Sequence, residues 1–319
     1  MDFKDIPVIT TERVAAVCRR AGFGVERTGP DLTVKVDGNN VGIGVSREMM
    51  TIMGFWGGAA YERPDREPLV AWINELNDGR LHTVVTTMPC GHGQGHIHLQ
   101  ADSRPILIRR ATDAQLEAII GAALRHIREA YGVFDAEFPG HAGLAIRAKS
   151  LRALSTVQRR RSGFGPATLE RVRAQTERMM LWGDGAPEAV TVVSLPGEDE
   201  LFLEHGGQLF SVTAEGRDIV VCTVVPSGRC GCDVGELMAW VVRTNERQSI
   251  AAAHLILEGH DELNVRFTGR IPGGLHYTDE QLSMQLAGTL GEMRGCADDF
   301  YVDINPERLS DYIHDGEAS

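Results

Sequence analysis

The stretch AWINELNDGR, residues 71–80, returns as AWVVRTNERQ at residues 239–248. Each holds a Trp, an Asn five residues later and an acid directly after it. Trp72 and Asn77 therefore match Trp240 and Asn245, at an offset of 168. One match of this length carries little weight, but two more lie in line with it. TTERV (10–14) matches TLERV (168–172) at an offset of 158, and TDAQL (112–116) matches TDEQL (278–282) at an offset of 166. Three collinear matches predict two copies of one domain.

Each copy reads the same way. A helix comes first, with an apolar stripe at Val14, Val17, Cys18 and Ala21, and at Leu169, Val172 and Met179 in the second copy. Strands follow: LTVKV, NVGIGVS and MTIMGFW in copy one, AVTVVSL, LFLEH, QLFSVTA and DIVVCTVV in copy two. A middle helix then carries the Trp and Asn, which we read as closing that helix with a left-handed cap at Asn77 and Asn245. A hairpin comes next, LHTVVTTM with HIHLQA and IAAAHLIL with LNVRFTG. A long last helix opens on Thr112 with Gln115, and on Thr278 with Gln281, the spacing of a capping box.

The expected order is α-β-β-β-α-β-β-α, twice. Strands in runs with helices set around them predict an α+β fold built on antiparallel sheets. The expected boundaries are 1–138 for copy one, 139–166 for a connector, 167–307 for copy two and 308–319 for a polar tail. The connector carries Arg147, Lys149, Arg152, Arg159, Arg160 and Arg161 with no acid among residues 140–166. Leu144, Leu151, Leu154 and Val157 give it helical spacing.

This order, with AWINELNDGR and ELMAWVVRTNERQS ending the middle helix and TDEQL opening the last, resembles the YbjN family. The resemblance covers nearly the whole chain as two tandem copies and leaves out the connector and the tail. NERQSIAAAHLILEGHDELNVRFTGRIPGGL in the second copy is the closer match, and the first copy departs in its hairpin turn. The resemblance implies a fold like the type III secretion chaperones, which are dimers that hold a partner polypeptide in extended form. It brings a regulatory role and no catalytic residues.

Bulk composition fits a globular chain. Of 319 residues 43% are apolar, and no apolar run is long enough for a membrane span. The opening MDFKDIPVITTERV lacks the basic and apolar regions of a signal peptide, so a cytoplasmic location is expected. Six scattered cysteines make no disulfide framework in a chain of this length. A net charge of −12 argues against nucleic acid as a partner.

Chemistry has one candidate stretch, MPCGHGQGHIHLQ (88–100). It is no phosphate loop, because it lies between strands and no helix N-terminus follows it. It could hold a metal: His96 and His98 share a face of a strand, and Cys90 or His92 could close the site from the turn. The alternation of Ile97, Leu99 and Ala101 with His96, His98 and Gln100 equally fits a strand whose polar face meets water. Cys230 and Cys232 could form a redox pair, or be small residues in a loop before the middle helix. His254, inside IAAAHLIL, reads as a core histidine. No nucleophile elbow or Walker loop is present, so no enzyme activity and no cofactor are expected.

The stronger clue is MMTIMGFWGG (49–58). Met50, Ile52 and Trp56 face one way in a strand, Met53 and Phe55 the other, so both faces are apolar. Such a strand needs cover on its second face, and Met53, Phe55, Trp56, Trp72 and Trp240 are the expected partner-binding or domain-interface residues. The chain then reads as a non-enzymatic protein-binding module, chaperone-like or regulatory. It would hold a partner polypeptide on an apolar face or sheet edge, with self-association as a pseudo-dimer within the chain or a homodimer.

Overall fold

The computed structural model describes residues 3–46, 49–58, 60–61, 67–80, 82–89, 96–138, 164–182, 187–194, 199–216, 218–230, 234–247, 250–258 and 262–305. The chain forms two compact units, Met1–Ser162 and Gly163–Ser319. Both are mixed α+β with antiparallel sheets.

The first unit opens with a 3-10 turn (Phe3–Asp5) and helix α1 (Thr11–Arg20). Four strands follow, β1 (Val25–Thr28), β2 (Asp31–Val36), β3 (Asn39–Val45) and β4 (Met50–Phe55), then the short β5 (Ala60–Tyr61). Helix α2 (Glu67–Glu75) runs into a π-helical turn (Leu76–Arg80), and the hairpin β6 (Thr83–Pro89) and β7 (His96–Ile106) leads to α3 (Asp113–Glu137). The sheet runs β1-β2-β3-β4-β7, with β6 on the far side of β7 and β5 beside β7 on the β4 side.

The second unit begins with β8 (Gly165–Pro166), α4 (Leu169–Thr176), β9 (Met180–Trp182) and β10 (Pro187–Ala189). Its sheet is built from β11 (Thr191–Val192), β12 (Glu200–His205), β13 (Gln208–Glu215) and β14 (Asp218–Cys230). Helix α5 (Val234–Arg247), the hairpin β15 (Ala251–Glu258) and β16 (Glu262–Ile271), β17 (His276–Tyr277) and α6 (Asp279–Asp303) complete it. The strand order is β11-β12-β13-β14-β16-β15. In both units the last hairpin therefore turns back, so that its second strand joins the sheet and its first becomes the edge.

Five strands, not three, precede the middle helix of the first unit. The missed strands are β1, whose VERT holds one apolar residue and no alternation, and the two-residue β5. Gly165 and Pro166, expected in the connector, pair as β8 with β17. Residues 139–163 and 306–319, which include most of the connector and the tail, lie outside the described residues.

The same bonds recur at matching places. Thr10 and Thr168 cap α1 and α4 by accepting from the N–H of Arg13 and Arg171, each at 3.3 Å. Arg13 donates to the carbonyls of Pro7, Val8 and Ala111 and to Asp113 at 2.6 Å. Arg171 donates to the carbonyls of Gly165, Pro166 and Tyr277 and to Asp279 at 2.6 Å. Val8 bridges Arg110 as Pro166 pairs with His276. Each arginine thus ties the chain before the first helix to the cap of the last one. Both expected capping boxes are present, at Thr112 with Gln115 and at Thr278 with Gln281.

The last helix packs on one face of each sheet. A methyl carbon built on Gly54 would lie 2.4 Å from Ile127 Cγ2 of α3, and one on Gly269 would lie 2.5 Å from Thr289 Cγ2 of α6. Residues that alternate with these glycines point to the other face, which is free of helices among the described residues and is called the helix-free face. The turns Asp37-Gly38 and Gly206-Gly207 both have two positive φ angles, the form that suits a two-residue hairpin. An arginine of the last helix reaches each. Arg128 Nε pairs with Asp37 at 2.6 Å, while Arg294 meets the His205 ring at 3.2 Å and Glu188 at 3.1 Å.

Candidate functional site

Strand β4 sorts its side chains as its alternation predicts. Met50, Ile52 and Trp56 are buried on the helix side, and Met53 and Phe55 stand half-buried on the helix-free face. Register puts Met53 opposite Asp102 and Phe55 opposite Gln100 of β7, and puts Val84 and Thr86 of β6 beside them. The polar side of β7 does not meet water as expected: Gln100 and Asp102 are buried. Both Asp102 carboxylate oxygens accept from Gln100 Nε2 at 2.7 Å. Burial pushes the Asp102 carboxyl up to about 7, and the Gln100 bond opposes this only in part.

The second unit presents a different helix-free face. Leu209 (51% exposed) and Val193 (54% exposed) flank the half-buried Phe202. Val193 N–H donates to the Phe202 carbonyl at 2.8 Å, and Leu209 pairs with Glu204 one step along from Phe202 with Ser211. Val193 directly follows β11, the outermost strand of this sheet among the described residues, with Phe202 beside it on β12 and Leu209 on β13. Glu200 and Glu204 share the face, since they pair with Thr213 and Leu209. Further across it, Ala252, His254 and Thr268 are buried. His254 is thus a core residue, as expected. The matching corner of the first unit carries Thr33, Lys35 and Asn40 instead, and it is polar. Nothing in local spacing marks Val193, Phe202 and Leu209 as a group, because they come from three segments joined only by register.

The tryptophans lie within their own units. Trp56 donates from Nε1 to Asp135 at 2.9 Å and meets Phe134 edge-on, with ring centroids 5.8 Å apart. Trp72 is half-buried against Phe134 and Phe138. Trp240 donates to Asp303 at 3.0 Å and packs on Phe300 and Phe267. Each aromatic fixes a middle helix or strand to the end of the last helix.

The asparagines are not left-handed caps. Among the described residues Asp37 alone has a positive φ without being glycine. Asn77 Nδ2 donates to the Val85 carbonyl at 3.0 Å and its Oδ1 accepts from the Val85 N–H at 2.8 Å. Asn245 does the same with Ala253, at 2.8 Å in both directions.

Of the metal candidates, Cys90 and His92 lie outside the described residues, as does Cys232. His96 and His98 both stand in β7, two residues apart, with His98 half-buried. Cys230 ends β14 opposite Glu262 and is not in a loop. Among the described residues no group of three or more His, Cys, Asp or Glu could hold a metal ion. Also among them, no helix is long and apolar enough to cross a membrane. A groove of about 730 Å³ lies in the first unit, lined by Val8, Ile9, Val45, Met49 and Ile108. No family model matches the chain, and no curated protein matches it in sequence.

Proposed function

We propose that the chain is a non-enzymatic protein-binding module made of two YbjN-like domains, chaperone-like or regulatory in role, that holds a partner polypeptide in extended form. The observation that carries this reading is the row Val193, Phe202 and Leu209, two of them about half exposed, on the helix-free face beside an outermost strand. Exposed apolar side chains in a contiguous group mark association surfaces more than scattered ones do. Met53 and Phe55 extend the same kind of surface to the first unit. An extended segment laid beside β11 would gain main-chain hydrogen bonds from the edge and side-chain burial from the row. Glu200 and Glu204, together with the net charge of −12, favour a segment in which apolar and basic residues alternate. The recurrent arginine ties, capping boxes and asparagine bonds support the two-domain part of the reading.

The test is differential capture from the native host, with wild type and a V193E/L209E double variant as baits. Both positions are exposed, so the variant should keep the wild-type melting curve. A stoichiometric partner held by wild type and lost by the variant is the expected result. Equal capture by both baits, or by neither, overturns the proposal.

A further inference from the structure

Arg294 of α6 reaches the turn Gly206-Gly207, which carries no acid of its own. Its counterpart in the first unit, Arg128, pairs with Asp37 in the turn itself. Register sets Gly206 in the place of Asp37 and His205 in the place of Val36. The acid comes instead from β10, whose Glu188 lies 3.1 Å from Arg294 Nη1. The first unit runs from α1 to β1 without such a hairpin. The same Nη1 lies 3.2 Å from His205 Nε2. A guanidinium can only donate, so this ring nitrogen accepts and the ring proton sits on Nδ1, 3.9 Å from Glu188. His205 and Arg294 are buried, and a side chain at position 206 would strike the guanidinium. Three elements, β10, β12 and α6, are thus joined through one neutral imidazole.

That imidazole sits at the base of the strand proposed to receive a partner. Thr191, the first residue of β11, pairs with Glu204. His205 is therefore one step beyond, beside Val190, where the β9–β10 hairpin passes into β11. A second ring proton would set an N–H on Nε2 against Arg294 and bring two cations together in a buried place. We infer that His205 is a proton-operated latch on β11. Neutral, it holds the hairpin to α6 through Arg294 and Glu188; protonated, it frees the hairpin and the start of β11. The inference deepens the partner-binding reading and rests on it for the use of that strand. Burial, and next Arg294, hold the ring below the ordinary histidine value of about 6.5, while Glu188 and Glu204 pull the other way. Asp298 meets Arg294 from the same helix, 3.8 Å from Nε. From α4, Arg173 donates to the Ser194 carbonyl, and β13 places the uncharged Gln208 opposite His205. The latch is thus closed at neutral pH, and the stability it contributes falls away as pH drops below about 6.5. Packing alone needs no histidine here, since buried Val36 fills the matching place in the first unit.

The test is hydrogen exchange read by mass spectrometry on the full chain alone, from pH 7.5 to 4.5, corrected for the intrinsic pH dependence of exchange. No partner is present, so the latch can fail while the partner reading stands, and the reverse. We expect the amides of residues 188–193 to lose about tenfold or more in protection as the pH falls, while β15 and β16 keep theirs. H205Q accepts from Arg294 but takes no proton, so it should show no such loss. E188Q alters a half-buried side chain and removes the carboxylate that favours the protonated ring. It should keep the loss and shift it to lower pH. The inference is overturned if residues 188–193 stay protected in wild type, or if β15 and β16 lose protection equally. It is also overturned if H205Q loses protection as wild type does. Should H205Q not fold, E188Q decides: an abolished loss, or an unmoved midpoint, overturns the latch.

Discussion

Asp102 shows what one residue does to stability here. Its carboxyl titrates near 7 in the fold because burial disfavours the charged form, against about 3.9 for an unfolded chain. Between those values the folded state holds more protons than the unfolded state. Stability therefore falls as pH rises from about 4 to about 7 and then levels off. The full cost is at most about 4 kcal/mol, since each pH step in that interval contributes about 1.4 kcal/mol. We expect D102N to melt well above wild type at pH 8 and to lose most of that advantage at pH 5. An advantage of equal size at both would show that charge burial is not the cause. Asparagine can keep a bond with Gln100, whose amide has only to turn over. None of this was legible in HIHLQAD, because alternation marks which residues share a face and says nothing of what lies over it. Asn77 and Asn245 were singled out by their spacing from Trp, yet their role was missed. An asparagine amide fits a helix cap and a backbone bridge equally well, and only the strand placed against it decides.

Elements were read best where the signal is local. The capping boxes at Thr112 and Thr278 lie within four residues, and apolar residues at helical spacing behind them, such as Leu116, Ile120 and Leu124 or Leu282, Leu286 and Leu290, are buried. The two hairpins were equally plain, since each pairs two strand-like runs across a turn. Strand β1 escaped because its residues carry no pattern, and it forms because β2 offers it a partner. The close approach of the last helices was also hidden. It depends on Gly54 and Gly269, which in sequence are only two glycines among 36. A side chain at Gly54 would meet Ile127 and Tyr131, at 2.4 and 2.5 Å, and one at Gly269 would meet Thr289 at 2.5 Å. G54A and G269A should therefore each destabilise by about 1–3 kcal/mol as the helix is pushed off the sheet. Urea unfolding midpoints would measure this. Neutral substitutions would mean that the backbones have room to spare.

At the scale of the molecule, the two units differ on the helix-free face while sharing the same internal ties. The first unit has a polar corner where the second has Val193, Phe202 and Leu209, and it has Pro89 where the second has Leu257. Both have an arginine that joins first helix to last cap. We expect residues 1–138 and 164–305, expressed apart, each to give a cooperative thermal melt, since the hydrogen bonds just described close within each unit. A half that stays unfolded by circular dichroism would refute this for that unit. The matching AWINELNDGR and AWVVRTNERQ, the capping boxes and the alternation of β4 determined the α+β class, the order of the main elements and the two sides of MTIMGF. These follow from periods of two or 3.6 residues and from bonds that span a few positions, so the chain carries them locally. Tertiary structure alone decided that Asn245 bonds the backbone of Ala253, that Asp102 is buried, and that Val193, Phe202 and Leu209 share one face. Each of those depends on cross-strand register, which brings together residues whose spacing along the chain bears no sign of it.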